Sequence, residues 1–220
     1  LVEFRDLGAK FTKWRAVITI GSGIPTCTCI KTSAHALGRY AALSQEAGLV
    51  PIVEPEVLMD GDHTIDRCYE VTEWALEEVF RELSCQRVHL EGMLLKPNMV
   101  LSGKSAKTRA SADEVARRTV QCFQRTVPAA VPGIVFLSGG QSDEEATVNL
   151  NAINQYAAKN AAPWQLSFSY GRGLQAAPLK AWGGSAANRG AGQEAFLHRS
   201  KLTSMARQGK YTPEMETAGV

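Results

Sequence analysis

The sequence contains no long apolar run and almost no excess of charge of either sign. Its longest nearly apolar stretches, such as residues 129–137, reach about half the length of a membrane-spanning helix. Lysine and arginine together number 24 against 22 acidic residues, so the net charge is +2. A net charge this small would not attract nucleic acid or an anionic membrane through overall electrostatic attraction. We therefore expect a soluble globular chain with no transmembrane segment, no nucleic-acid partner and no membrane partner.

The cysteines follow no metal-binding or disulfide pattern. There are five, an odd number, with no C-x-x-C pair, which is typical of a reducing compartment. Cys27 and Cys29 are close enough to be considered as metal ligands, but the four histidines are scattered and no second cysteine pair closes a tetrahedral site. We therefore expect no metal site and a cytoplasmic location, with a plastid left open.

Hairpin and linker signals are also absent, and the chain instead alternates strand patterns with helical patterns. The spacing of the strand starts is typical of successive βα units. This alternation predicts a parallel α/β sheet, either an open doubly wound sheet or part of an eight-stranded barrel. The predicted strands are 14–20, 49–54, 88–96, 134–138 and 165–170. The predicted helices are 32–47, 63–84, one that begins at a capping box of Ser111 and Glu114, 142–158, 174–182 and 188–208, before a polar tail with little to pack.

Lys96 is the most informative single residue of the sequence. It follows Met93-Leu94-Leu95 at the end of the third predicted strand and precedes Pro97. Functional groups of parallel α/β folds gather at the carboxyl ends of the strands, and burial there favours a neutral amine. Such an amine attacks carbonyl carbons to form a Schiff base. The alternative is a lysine whose stem packs while its ammonium reaches solvent or pairs with Glu91.

Two glutamates end the second predicted strand, on either side of Pro55. Because side chains alternate along an extended segment, Glu54 and Glu56 are expected to point the same way into the cleft at the strand end. Schiff-base chemistry needs groups that give and accept protons, and buried carboxylates serve this purpose. The alternative, mainly for Glu56, is a structural ion pair with Lys13 or Lys96. Glu54 lies deeper in the apolar run and is the stronger catalytic candidate.

A phosphate site is predicted at the ends of the fourth and fifth strands. Ser138-Gly139-Gly140 opens directly into a helix capped by Ser142, and glycine N–H groups at a helix N-terminus favour an anion. Arg172, preceded by Gly171 at the end of the next strand, could add a bidentate fork to the same anion. Arg15 is a candidate for a second phosphate. The alternatives are a tight turn at the two glycines and a surface ion pair at Arg15.

Taken together, these stretches resemble one family, class I fructose-1,6-bisphosphate aldolase. The segments that carry the resemblance extend over almost the whole chain, and their order and spacing make accidental similarity very improbable. They are KWRAVITI, RYAALSQEAGLVPIVEPEVLMDGDH, LEGMLLKPNMV, TVPAAVPGIVFLSGGQSDEEATVNLNAIN, FSYGRGLQAAPLKAWGG and QGKYTP.

The resemblance implies a (β/α)8 barrel, usually a homotetramer, that reversibly cleaves fructose 1,6-bisphosphate into dihydroxyacetone phosphate and glyceraldehyde 3-phosphate. It implies no metal and no cofactor, because the intermediate is a covalent Schiff base with the phosphosugar. The implied catalytic residues are Lys96 as the Schiff-base lysine, Glu54 as the general acid/base, Glu56 as a second carboxylate and Lys13 as a supporting charge. The implied phosphate-binding residues are Arg15 for C6 and, for C1, Ser138, Gly139, Gly171 and Arg172.

Two departures from the family pattern shape the expected architecture. The family has a further region before KWR, including an aspartate that takes part in carbon–carbon cleavage and another lysine, and it generally ends in a tyrosine, whereas this chain runs from Leu1 to Val220. We expect residues 1–220 to be the C-terminal portion of one barrel, covering strands 4 to 8, with a polar tail at 209–220. The structure should then contain a further N-terminal portion or show an incomplete barrel.

Two other functions stay open at this point. One is a non-catalytic scaffold or partner-binding module that uses an inherited barrel. The other is a Schiff-base aldolase that acts on a different phosphosugar.

Overall fold

The chain forms a five-stranded parallel sheet flanked by helices. A computed structural model describes residues 1–217. The strands are Phe11–Ile18 (β1), Val50–Val57 (β2), Leu94–Leu95 (β3), Gly133–Phe136 (β4) and Gln165–Phe168 (β5). Each pairs in parallel with the next, in the order β1-β2-β3-β4-β5. Because a doubly wound sheet reverses its strand order, this sequential order favours the barrel over the open sheet.

Helices connect the strands, and hydroxyl side chains cap four of them. Thr26, Thr64, Ser111 and Ser142 each accept a hydrogen bond from the main-chain N–H three residues later, which satisfies a donor that the helix itself cannot pair. The caps predicted at Ser111 and Ser142 are confirmed. The helices are Val2–Asp6 (α1), Cys27–Glu46 (α2), Ile65–Cys85 (α3), Ala112–Thr126 (α4), Asp143–Lys159 (α5), Arg172–Trp182 (α6) and Arg189–Arg207 (α7).

The pairing of β1 with β2 is longer than the sequence predicts. It runs without a break from Phe11 opposite Val50 to Ile18 opposite Val57. Glu54 and Glu56 therefore lie within β2 rather than at its end. Main-chain hydrogen bonding extends the strand through polar residues that interrupt the apolar pattern.

The predicted strand at residues 88–96 is wrong for most of its length. Only Leu94–Leu95 joins the sheet, and Leu90–Gly92 forms a 3-10 turn. The side chain of Gln45, on α2, takes the place of a neighbouring strand: its Nε2 donates to the carbonyls of His89 (2.7 Å) and Gly92 (3.3 Å), and its Oε1 accepts from the His89 N–H. The main-chain groups are thus satisfied without a ladder.

The hydrophobic core lies between the sheet and the helices. The rings of Phe123, on α4, and Phe136, on β4, stack with centroids 5.8 Å apart. Burying an aliphatic or aromatic side chain of this size contributes about 1.5–3 kcal/mol. Other fully buried members are Leu37, Leu76, Leu83, Leu95, Ile134 and Leu150.

Residues 209–216 pack against α5 and α7, although the sequence predicts a polar tail with little to pack. Tyr211 is buried, and its main-chain N–H donates to Oδ1 of Asn151 at 3.0 Å. Arg199, buried in α7, forms an ion pair with Glu216, which also accepts a hydrogen bond from the Tyr211 hydroxyl at 2.9 Å. The prediction of a tail with little to pack is wrong for residues 209–216, because the buried Arg199 holds this segment against α5 and α7. Residues 218–220 of the predicted tail lie outside the described residues.

The sheet is open within residues 1–217. β1 and β5 each pair on one side only, and Phe11, Trp14 and Val17 of β1 are exposed. The expectation of an incomplete barrel is confirmed. In the same part of the chain, none of the helices combines the length and apolarity needed to cross a membrane.

Candidate active site

The register of β1 with β2 places charged side chains on one face of the sheet. Arg15 lies opposite Glu54, and Lys13 lies two residues before Arg15 on the same face of the sheet. The other face of β1 packs against α2, where the Thr12 and Tyr40 hydroxyls are 2.7 Å apart. Since side chains alternate along each strand, this face carries Lys13, Arg15, Glu54 and Glu56, on the side away from α2.

A buried carboxylate lies between two ammonium groups on this face. Nζ of Lys96 is 3.4 Å from Oε1 of Glu54, and Nζ of Lys13 is 3.3 Å from Oε2. The side chain of Glu54 is 4% exposed and that of Lys96 12%, whereas that of Lys13 is 45%. Within residues 1–217 the Oε2 atom accepts no hydrogen bond, so its contact with Lys13 is an ion pair only. The Glu54 charge is thus offset by an ammonium group on each side.

Glu56 forms a second ion pair, with Arg15. The Arg15 Nε donates directly to Oε2 of the buried Glu56, and this hydrogen bond raises the pKa of the Arg15 guanidinium. The Arg15 side chain is nearly half exposed, so its other N–H groups can still reach a ligand. The ion pair considered for Glu56 is present, but its partner is Arg15 rather than Lys13 or Lys96.

Lys96 has a different ionic partner from the one considered in the sequence. Glu91 lies in the 3-10 turn and pairs with His89, so the alternative of a Lys96–Glu91 pair is wrong. The Lys96 main-chain N–H donates to the carbonyl of Val53 at 2.8 Å. This bond continues the β2–β3 pairing by one residue and sets Lys96 beside Glu54.

Asn98, which the sequence analysis did not single out, links the strands that carry Lys96 and Glu54. Its Oδ1 accepts the Val57 N–H at the end of β2 (3.0 Å), and its Nδ2 donates to Thr72 Oγ1 on α3 (3.1 Å) and to the Met99 carbonyl. The sequence feature that could have identified Asn98 is its position two residues after Lys96, in Lys96-Pro97-Asn98. A buried amide with both ends bonded holds the ends of β2 and β3 at a constant separation.

The predicted anion loop has the backbone that its glycines allow. Gly139 and Gly140 adopt φ values of 59° and 89°, in the left-handed region that glycine enters without steric cost. A Cβ built on Gly140 would lie 3.8 Å from Nη2 of Arg172. The structure therefore brings the Arg172 guanidinium to the loop, as the sequence predicts.

Arg172 reaches the loop from a helix and not from the end of a strand. β5 ends at Phe168, and Arg172 begins α6 after the N-cap Gly171. A Cβ built on Gly173 would lie 3.2 Å from that of Ser138, so the first turn of α6 packs on the loop that precedes α5. The N-terminus of α6 thus lies against Ser138–Gly140, where it favours an anion, whereas the first turn of α5 carries Asp143, Glu144 and Glu145.

His63 is a buried titratable residue that the sequence analysis did not weigh. Neither ring nitrogen has a hydrogen-bond partner within the described residues. Burial lowers the pKa of His63, and Arg67 lowers it further against the opposing effect of Asp62. The main-chain carbonyl of His63 accepts from the Gly103 N–H at 2.8 Å, which ties the loop after β2 to the loop after Lys96.

Among residues 1–217, no cluster of three or more histidine, cysteine, aspartate or glutamate side chains could hold a metal ion. Cys27 and Cys29 lie in the first turn of α2, where Cys27 is exposed and Cys29 half-buried.

The sequential strand order, with charged side chains of neighbouring strands on one face, is that of a segment of a (β/α)8 barrel. Comparison with known families identifies which one. The family model described as "Fructose-bisphosphate aldolase class-I" matches residues 1–220. The chain therefore belongs to the class I fructose-bisphosphate aldolases, a family of aldehyde-lyases of the Schiff-base type.

Individual relatives agree with the family assignment. The chain is 54% identical over 209 residues to the cytosolic fructose-bisphosphate aldolase 4 of Arabidopsis thaliana, with 95% of this chain and 53% of the relative covered. It is 52% identical over 209 residues to fructose-bisphosphate aldolase B of Mus musculus, with 95% and 57% covered.

A solved structure shows the same fold. It is the fructose-bisphosphate aldolase of Plasmodium falciparum, in a complex with TRAP and a small-molecule inhibitor. It superimposes with a TM-score of 0.92 at 48% sequence identity, over 96% of this chain and 60% of the other. The chain spans between 53% and 63% of the length of curated relatives that it matches.

Proposed function

We propose that the protein is a fructose-bisphosphate aldolase that cleaves fructose 1,6-bisphosphate reversibly through a Schiff base on Lys96. The observation that carries the proposal is the buried contact between Lys96 and Glu54, with Nζ 3.4 Å from Oε1. A lysine so placed can lose its proton to a neighbouring carboxylate and attack a ketone carbon. The products are dihydroxyacetone phosphate and glyceraldehyde 3-phosphate, as for the family.

The proposed reaction begins with proton movement between Lys96 and Glu54. The neutral Lys96 amine attacks C2 of the open-chain ketose and forms a carbinolamine. Protonated Glu54 gives its proton to the carbinolamine hydroxyl, which leaves as water, and the nitrogen lone pair forms the iminium. The Lys13 ammonium, 3.3 Å from the same carboxylate, stabilises the Glu54 anion that results.

The iminium then draws the electron pair of the C3–C4 bond. The C4 hydroxyl loses its proton to a base, C4 becomes the aldehyde of glyceraldehyde 3-phosphate, and the bonding pair becomes the enamine. The resemblance assigns that base to a strand-end aspartate that the 220 residues do not include. Protonation of the enamine at C3 and hydrolysis of the iminium release dihydroxyacetone phosphate and restore the Lys96 amine.

The two phosphates are proposed to bind at opposite sides of this centre. We assign the C1 phosphate to the place where the N-terminus of α6 meets the loop before α5, which is formed by Ser138, Gly139, Gly171 and Arg172. Arg15 keeps N–H groups exposed beside Glu56, and we assign the C6 phosphate to it. Binding at both ends places C2 beside Lys96.

The resemblance supports three further parts of the proposal. The reaction needs no metal, because the iminium acts as the electron sink. The protein is a homotetramer, as is usual in the family. It acts in the cytoplasm, as the name of the cytosolic Arabidopsis relative suggests by analogy.

Borohydride trapping tests the proposal directly. The protein at its natural length is incubated with dihydroxyacetone phosphate and borohydride, which reduces the iminium to a stable amine, and peptides are then examined by mass spectrometry. We expect the reduced triose mass on the peptide that contains Lys96. Lys96→Arg should abolish the adduct, whereas the control Lys107→Arg, at an exposed lysine, should retain it. An unlabelled Lys96 in the unsubstituted protein would refute the mechanism.

A further inference from the structure

We propose that Gln141 is a positioning residue, which aims the Gly139 N–H at the C1 phosphate and is itself oriented by Asn149. The inference rests on the proposed function, because that function places the phosphate at Ser138–Gly140. Gln141 follows the loop directly and is buried, as is Asn149 in α5. Neither residue belongs to the set that the resemblance assigns to binding or catalysis.

The Ser138 carbonyl is held from one side by Gln141. It accepts a hydrogen bond from Nε2 of Gln141 at 2.9 Å and a second from the Gln141 main-chain N–H at 3.1 Å. Both acceptor positions of that oxygen are therefore used by one residue. The carbonyl cannot rotate away without breaking two bonds inside the protein.

This arrangement determines the direction of the next N–H group. In a trans peptide the carbonyl and the N–H of the same unit point in opposite directions. Because the Ser138 carbonyl points toward Gln141, the Gly139 N–H points away from it. Within residues 1–217 the main-chain N–H groups of Gly139 and Gly140 donate to no main-chain carbonyl, so both are available to an anion.

Asn149 determines which end of the Gln141 amide faces the loop. Its Nδ2 donates to Oε1 of Gln141 at 2.7 Å. With the oxygen engaged there, the nitrogen faces the Ser138 carbonyl. A flipped amide would set two oxygens against each other at Ser138 and two NH2 groups against each other at Asn149. The chain Asn149–Gln141–Ser138 therefore has one satisfied arrangement.

The test separates phosphate binding from Schiff-base chemistry. Gln141→Met keeps the side-chain volume and removes the donor to Ser138. Borohydride trapping on Lys96 is measured with dihydroxyacetone phosphate and with dihydroxyacetone, which lacks the phosphate. We expect the half-saturating concentration of dihydroxyacetone phosphate to rise about 10-fold, while trapping by dihydroxyacetone is unchanged. A merely structural role would impair both reactions equally, and that result would overturn the inference.

A second variant tests the inference independently if Gln141→Met fails to fold. Asn149→Leu leaves Gln141 in place but removes the group that orients it, so the same selective rise should appear at about 3-fold. The matched control is Asn154→Leu on the same helix, because the Asn154 side chain donates to the carbonyl of Leu150 and has no other hydrogen bond among residues 1–217. Normal half-saturation in both Gln141→Met and Asn149→Leu would overturn the inference.

Failure of the proposed function gives a different result. If the unsubstituted protein forms no Lys96 adduct, the aldolase proposal fails, and the positioning role is then measured with inorganic phosphate, whose binding needs no Schiff base. We expect its dissociation constant to rise about 10-fold in Gln141→Met. Equal dissociation constants in the two proteins would overturn the inference whatever the reaction.

Discussion

Lys96 and Glu54 form a buried ion pair between neighbouring strands, with Nζ of Lys96 3.4 Å from Oε1 of Glu54. The main-chain bond from Lys96 to Val53 places the two residues side by side, so their contact follows from the sheet itself and not from a flexible loop. A reaction that passes a proton between an amine and a carboxylate gains from such a fixed distance.

Glu54→Gln is expected to lower kcat by about 10²- to 10⁴-fold with little change in KM. The amide keeps the shape of the side chain but cannot carry the proton that carbinolamine dehydration needs. Steady-state cleavage of fructose 1,6-bisphosphate measures kcat, and the rate of borohydride trapping at saturating dihydroxyacetone phosphate should fall with it. Glu56→Gln is the matched control and should lower kcat less, because Glu56 is engaged by Arg15. Equal losses in the two variants would contradict the assignment to Glu54.

Arg172→Ala and Arg15→Ala should separate the two phosphate sites. Loss of a charge-assisted hydrogen bond raises KM by about 10- to 100-fold. Arg172→Ala should raise KM for both fructose 1,6-bisphosphate and fructose 1-phosphate, because both carry the C1 phosphate. Arg15→Ala should raise KM only for the bisphosphate. If Arg15→Ala affects the two sugars alike, Arg15 does not bind the C6 phosphate.

Arg199→Leu should destabilise the folded protein by about 3 kcal/mol. The substitution leaves the largely buried Glu216 without its cation and also removes the 2.7 Å hydrogen bond from Arg199 to Thr147. Denaturant unfolding measures the loss, and limited proteolysis should show faster cleavage within residues 209–217. Arg207→Leu, at an exposed position of the same helix, should change stability by less than about 0.5 kcal/mol. A loss no larger than this in Arg199→Leu would show that the ion pair does not anchor the segment.

His63 should make the protein less stable as the pH falls. Its pKa is lowered by burial, so between the folded and unfolded pKa values the unfolded chain binds a proton that the folded chain does not. The free energy of unfolding therefore decreases as the pH falls below the unfolded value of about 6.5. Between pH 7.5 and 5.5, His63→Gln should reduce that decrease by up to about 1.4 kcal/mol, measured by urea unfolding at both pH values. An unchanged decrease in His63→Gln would contradict the assignment to His63.

Local signals predicted the elements that depend on neighbouring residues. Each of these elements depends on residues that are close together in the sequence. They are the alternating strands and helices, the caps at Ser111 and Ser142, and the glycine loop at Ser138–Gly140. The predicted strand at 88–96 is wrong because the partner that satisfies its main chain is Gln45, more than forty residues earlier. Periodicity within a window carries no information about such a partner.

The candidate site likewise combines features that local sequence predicts with contacts that depend on distant residues. The sequence marked Lys96, Glu54 and Arg172 by their places near strand ends, but it could not choose the ionic partner of Lys96 or of Glu56. Those choices follow from the register of β1 with β2 and of β2 with β3. A shift of the register by one residue would turn one strand's charged side chains to the opposite face of the sheet.

By itself, then, the sequence determined a parallel α/β architecture and the residue types of the proposed site, because these depend on local patterns and short motifs. Only the tertiary structure decided that Glu54 lies between Lys13 and Lys96, that Arg15 holds Glu56, and that the segment around Tyr211 packs on α5 and α7. These contacts join residues that are far apart in the chain. Their distances are set by strand pairing and core packing, which the whole fold establishes together.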